Sequence, residues 1–113
     1  MQTNLSKETK LELIAELTGC LPALRRSLDI SQEDIAWIVG ISRQTYCALE
    51  QGKRPMSWNT FLSLFLFFLS NDASCELLKT SYADFLFRVH QALRYERKDS
   101  PVPDPGGVAR YTG

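Results

Sequence analysis

The chain has 113 residues, 13 of them Lys or Arg and 13 Asp or Glu, with 44% apolar and 11% aromatic residues. That length supports one compact domain with a modest core, and that composition excludes an intrinsically disordered polymer. A net charge of zero excludes a protein that coats nucleic acid by bulk electrostatics, while leaving room for a local basic face.

No segment alternates as a half-buried strand does, and apolar residues recur at three-to-four spacing along most of the chain, which predicts an all-α fold. Ser6 caps a first helix with Leu11, Ile14 and Leu17 on its apolar side and Leu13 beside them, ending at Thr18-Gly19. Pro22 then opens a second helix that turns Leu21, Leu24 and Leu28 inward. Ser31, with Asp34 three residues on, caps a short third helix carrying Ile35, Ala36 and Val39 and stopping at Gly40. Ser42 caps the next, with Tyr46 and Leu49 inward and an end at Gln51-Gly52.

After the basic loop Lys53-Arg54-Pro55-Met56, Ser57 caps a helix from Trp58 to Ser70. Its apolar residues cover every side, so it is either fully buried or shared with a partner. Its longest apolar run, Phe61–Leu69, is interrupted by Ser63 and is too short to cross a bilayer. Ser74 to Arg97 fits one long amphipathic helix with Leu78, Tyr82, Phe85, Leu86, Val89 and Leu93 as its stripe. The segment after Lys98, rich in Pro and Gly, has almost nothing to bury and reads as a flexible tail. The expected organisation is therefore an N-terminal helix (1–20), a central helical domain (21–70), a C-terminal amphipathic helix (71–98) and a tail (99–113).

The informative stretch runs from Leu21 to Ser57. Ala36 is small where two helices approach closely, and Gly40 supplies the positive φ of a tight turn. Ile35, Val39, Ile41, Tyr46 and Leu49 lock the pair, a helix-turn-helix pattern. This leaves Arg43, Gln44, Cys47 and Ala48 on the outer side of the second helix. An arginine can donate two parallel hydrogen bonds to guanine, and a glutamine can do the same for adenine, so this face has the chemistry to read base edges.

Four segments carry a resemblance: Leu24-Arg25, SQEDIA at Ser31 to Ala36, GISRQT at Gly40 to Thr45, and LEQGKR at Leu49 to Arg54. Together they resemble the helix-turn-helix domain of the Xre/Cro family of bacterial and phage transcriptional regulators, over about half of the chain. The resemblance implies a lambda-repressor-like helix-turn-helix core, with extra N- and C-terminal helices around it. It implies that Arg43, Gln44 and Ala48 face the bases. Gln32, Ser42, Thr45, Lys53 and Arg54 take the phosphate-contacting and bracing positions. It also implies a structural ion pair between Arg25 and Glu50. Two residues depart from the family pattern. Ala48 replaces a polar reader and offers only a methyl contact to thymine, and Tyr46 replaces an inward Ile or Val, so its hydroxyl needs a partner or an outlet to solvent.

Other chemistries find little support. No nucleophile-histidine motif, phosphate-cradling glycine loop or paired-carboxylate pattern is present, so no enzyme, catalytic residue or cofactor is expected. His90, the only histidine, has no companions at metal-ligand spacing. Glu8, Glu12 and Glu16 stand where a secretory signal needs an uncharged stretch, which points to a reducing cytoplasm and free thiols at Cys20, Cys47 and Cys75. A redox role for Cys47 would need a lowered thiol pKa or a resolving partner, and the sequence offers neither. The expected function is that of a sequence-specific transcriptional regulator, a repressor reading a palindromic site in the major groove of double-stranded DNA as a homodimer formed through the Phe61–Leu69 helix, the Ser74–Arg97 helix or both. The rival reading is a protein-interaction module, such as an antitoxin-like partner, that uses the helix-turn-helix as scaffold.

Overall fold

The computed structural model describes residues 5–95, which form an all-α bundle of six helices. In chain order these are α1 (Lys7–Ser27), α2 (Gln32–Val39), α3 (Arg43–Glu50), α4 (Trp58–Leu69), α5 (Asp72–Thr80) and α6 (Ala83–Leu93). The stretch expected to be a tail, 99–113, lies outside the described residues.

Serine starts four of the six helices for one physical reason: its side-chain oxygen accepts an amide proton that has no partner inside the helix. Ser6, Ser31, Ser42 and Ser57 accept from the amides of Thr9, Asp34, Thr45 and Thr60 at 3.0 to 3.1 Å. Gly40 ends α2 at φ +83°, in the left-handed region, so that its amide and that of Ile41 fold back onto the carbonyl of Ala36. Gly52, after α3, is also left-handed at φ +71°, with its amide donating to the carbonyl of Leu49 and that of Lys53 to the carbonyl of Ala48. Asp29, after α1, holds φ +51° without being glycine.

α1 is one helix where the sequence reading expected two. Pro22 lies inside it, removing one amide from the helical ladder, and Gly19 does not end it. The buried stripe Leu13, Leu17, Cys20, Leu21 and Leu24 runs through the proline without a break in spacing, and packing on both sides of the fault holds the helix together. The expected boundary at residue 20 therefore falls within α1. Leu11, expected inward, is 57% exposed, because it stands two residues and some 200° of helical rotation from Leu13.

The expected helix from Ser74 to Arg97 is also corrected. It begins earlier, at Asp72, breaks at Ser81-Tyr82, and continues as α6 to Leu93. A straight helix of that length would extend about 36 Å and carry its far half off the core. The break instead brings Phe85 edge-on to Phe65, with ring centres 5.9 Å apart, and lets Arg88 pair with Glu16 of α1. Ser74, expected as the first residue, lies buried within α5 and donates to the carbonyl of Phe68 at 2.7 Å. Arg97 lies outside the described residues.

One core runs through all six helices, with Leu17, Leu21, Leu24, Ile35, Tyr46, Phe61, Leu64, Phe68, Leu78 and Val89 fully enclosed. α1 packs against α3, α4, α5 and α6 and is the central strut. α4 buries Phe61, Leu64, Phe65 and Phe68, while Leu66 on its other side remains 65% exposed. Leu93, expected in the buried stripe of the last helix, is 42% exposed. Among the described residues no single helix is long and apolar enough to cross a membrane.

Candidate functional site

α2 and α3, eight residues each, are joined by the three-residue turn Gly40-Ile41-Ser42. Their facing sides are closed by Ile35, Ala36, Tyr46 and Leu49, all buried, with Val39 and Ile41 packed against them. α3 is held chiefly by α2 and α1. The opposite side of α3 carries Arg43 and Gln44, both exposed, with Ala48 half-buried one turn after Gln44. Lys53 and Arg54, in the loop that follows, are exposed as well. Arg43, Lys53 and Arg54 enter no ion pair among the described residues.

The start of α3 differs in charge from the start of α2. α2 places Glu33 and Asp34 in its first turn, where they offset the positive end of the helix dipole, whereas α3 has no acid there and begins with Arg43. Ser42 accepts from the amide of Thr45 and donates to the Thr45 hydroxyl oxygen at 2.9 Å. That arrangement uses the hydroxyl proton of Ser42 and leaves that of Thr45 available to an outside acceptor.

Behind this face lies a polar frame. Arg25 of α1 donates through Nε and Nη2 to the two carboxylate oxygens of Glu50 at 3.0 and 2.9 Å, and through Nη1 to the carbonyl of Ile30 at 3.2 Å. Their side chains are 20% and 9% exposed. Burial is the largest single influence on Glu50 and works to raise its pKa, but the hydrogen bonds and charge of Arg25 together with the nearby polar groups of Tyr46 and Gln32 outweigh it in sum, so the carboxyl is held below its ordinary value. The same bonding raises Arg25 further. The Tyr46 phenol is pushed well above its usual range, first by burial and then by the carboxylate of Glu50. Its hydroxyl finds neither of the outlets the sequence reading required, being buried with no partner in hydrogen-bonding geometry.

Gln32 and Cys47 join α2 to α3, the thiol donating to the carboxamide oxygen at 3.1 Å. Gln32 thus touches the helix it was expected to brace, and Cys47, expected on the outer side, is half-buried against it. The Cys47–Gln32 contact spans fifteen residues of sequence, and no local pattern announces it. All three cysteines are free, Cys20 in the core and the other two half-buried. No group of three or more His, Cys, Asp or Glu residues is placed to hold a metal ion among the described residues.

No protein-family model, curated protein or solved structure matches this chain.

Proposed function

We propose that the chain is a sequence-specific DNA-binding transcriptional regulator, acting as a homodimer, with α3 as the helix that enters the major groove. The observation that carries this reading is the pairing of a buried, cross-braced back on α3 with an exposed front bearing Arg43 and Gln44. Arg43 has the donors for guanine and Gln44 the donor and acceptor for adenine, while Ala48 offers a methyl contact to thymine. In this reading the Thr45 hydroxyl and the cations of Lys53 and Arg54 would meet phosphates, a role supported by the acid-free start of α3 and by the Thr45 hydroxyl proton that Ser42 leaves unused. The lambda-repressor-like core and the Xre/Cro affiliation belong to this proposal and rest on the resemblance of residues 24–54.

Two side chains read too few base pairs to define a site alone, so the proposal includes a two-fold partner. Its recognition helix would enter the next major groove about 34 to 36 Å away on a palindromic site. Enrichment of DNA sequences from a random pool by the purified chain tests the proposal, with a palindrome expected. Arg43→Ala should relax preference at one base pair of each half-site by about 1 to 3 kcal/mol. Full retention of that preference would remove Arg43 from the reading role, and no enrichment of any sequence would remove the function.

A second reading is favoured by one observation. Trp37 and Ile38 on α2 are 84% and 53% exposed, an apolar pair beside Glu33 and Asp34 to which the DNA-binding reading assigns no role. A protein-interaction module with α2 as its contact would account for them. Recovery of one stoichiometric partner that is lost on Trp37→Ser would support this alternative.

A further inference from the structure

We infer that the groove between α4 and α6 is a two-fold contact between copies of this chain. The inference rests on the dimer included in the proposed function and gives it a location. The groove encloses about 560 Å³. α4 lines it with Leu62, Phe65, Leu66 and Leu69, and α6 lines it with Leu86, Val89, His90 and Leu93, with Arg94 at the end of α6. Both quartets recur at i, i+3, i+4 and i+7, the seam spacing of a helix that packs along another helix. The two helices are joined by the edge contact of Phe65 with Phe85, and Leu66 and Leu93 remain exposed above the groove. Phe87, the residue after Leu86, is 59% exposed and flanks the α6 seam.

The occupant that fits is the same surface of a second copy. α4 contains no charged residue, and the acid of α6, Asp84, is paired with Arg88. A partner recognised by charge therefore finds little here, whereas two copies of a two-helix seam match in spacing and in length and close into a four-helix arrangement. α3 packs chiefly against α1 and α2, so occupation of the groove leaves Arg43 and Gln44 uncovered.

The size of the face sets the strength. Helices of this length run about 18 Å, and at a helix spacing near 10 Å the pair is about 20 Å across. A face of about 18 by 20 Å is roughly 360 Å² per copy, below the roughly 1,200 Å² in total at which stable interfaces begin, so the contact is a weak and reversible one.

Sedimentation equilibrium of the full chain without DNA, from about 1 to 100 μM, tests the inference. The mass of the natural chain is expected to rise with concentration from 12.9 kDa towards twice that value. Leu66→Glu should remain at 12.9 kDa throughout, and Leu66→Gln, which adds no charge, should weaken association by about tenfold or more. Leu66 is 65% exposed, so both variants should keep the native circular dichroism spectrum. Trp37→Ser, on α2, should associate as the natural chain does. A natural chain that stays monomeric, Leu66 variants that dimerise normally, or a Trp37→Ser chain that does not dimerise would each overturn the inference. Because no DNA is present, a dimer that selects no DNA sequence defeats only the functional proposal, and a chain that is monomeric without DNA yet selects a palindrome defeats only this inference.

Discussion

The guanidinium of Arg25 closes on both carboxylate oxygens of Glu50, pinning the end of α3 to α1 across twenty-five residues of sequence. Because Glu50 is held below its ordinary value of 4.5, it binds fewer protons folded than unfolded in the acid range. Its contribution to stability is therefore fully present above pH 4.5 and is lost as pH falls through the depressed folded value. Urea titrations between pH 7 and pH 3 should show that loss, and Glu50→Gln should flatten this part of the profile. Arg25→Met leaves a nearly enclosed carboxylate unpaired and should cost about 3 kcal/mol at pH 7. The double variant Arg25→Met, Glu50→Met should recover most of it. A single variant within 0.5 kcal/mol of the natural chain would mean that solvent screens the pair as it does at an open surface.

Tyr46 sets a different test, because its ring is fully buried while its hydroxyl has no partner in hydrogen-bonding geometry. An enclosed, unmatched hydroxyl costs about 1 to 3 kcal/mol in lost hydration. Tyr46→Phe keeps the ring and removes that cost, so stability should be unchanged or higher by about 1 kcal/mol. A clear loss of stability in the same urea assay would show that the hydroxyl bonds Glu50 in solution and belongs to the Arg25 frame.

The parts of the fold legible in the sequence were those set by local chemistry. Ser6, Ser31, Ser42 and Ser57 each stand at the start of a helix, and Gly40 ends α2, because caps and left-handed turns depend on a few adjacent residues. The exposure of Arg43 and Gln44 followed from helical periodicity once Tyr46 and Leu49 were placed inward. What local chemistry misjudged was decided by packing. Pro22 and Gly19 read as a helix boundary, yet the stripe from Leu13 to Leu24 carries α1 through them. Ser81 and Tyr82 carry no strong breaker, yet the chain turns there so that Phe85 and Arg88 reach α4 and α1. A helix apolar on every side could not reveal that Leu66 would be the residue left uncovered.

Gly19 is helical, exposed, and has open space where a β-carbon would stand. Glycine inside a helix is less favourable than alanine by about 0.5 to 1 kcal/mol, because the unfolded chain gives up more freedom. Gly19→Ala should therefore stabilise the chain by that amount and raise the thermal midpoint by about 4 to 8 °C per kcal/mol. The same substitution at Gly40, where φ is +83°, should destabilise, because the left-handed conformation is strained for alanine. If both variants melted alike, the continuity of α1 through Pro22 would be in question, since a glycine at a helix end would respond as Gly40 does.

Lys53 and Arg54 follow the left-handed turn at Gly52 and are exposed. If they meet phosphates in both subunits of a bound dimer, their four contacts, with one more basic contact per subunit, make about six, giving a log-log dependence of affinity on salt near −5. Lys53→Ala together with Arg54→Ala removes four of the six, so the slope should flatten by about 3.6 while the preferred sequence is retained. Lys79→Ala, on the exposed side of α5, should leave the slope unchanged. Measured on the selected palindrome across a salt series, a double variant that keeps the natural slope would place the phosphate contacts elsewhere. A changed sequence preference would instead give the loop a reading role, because a phosphate contact weakens all sequences alike.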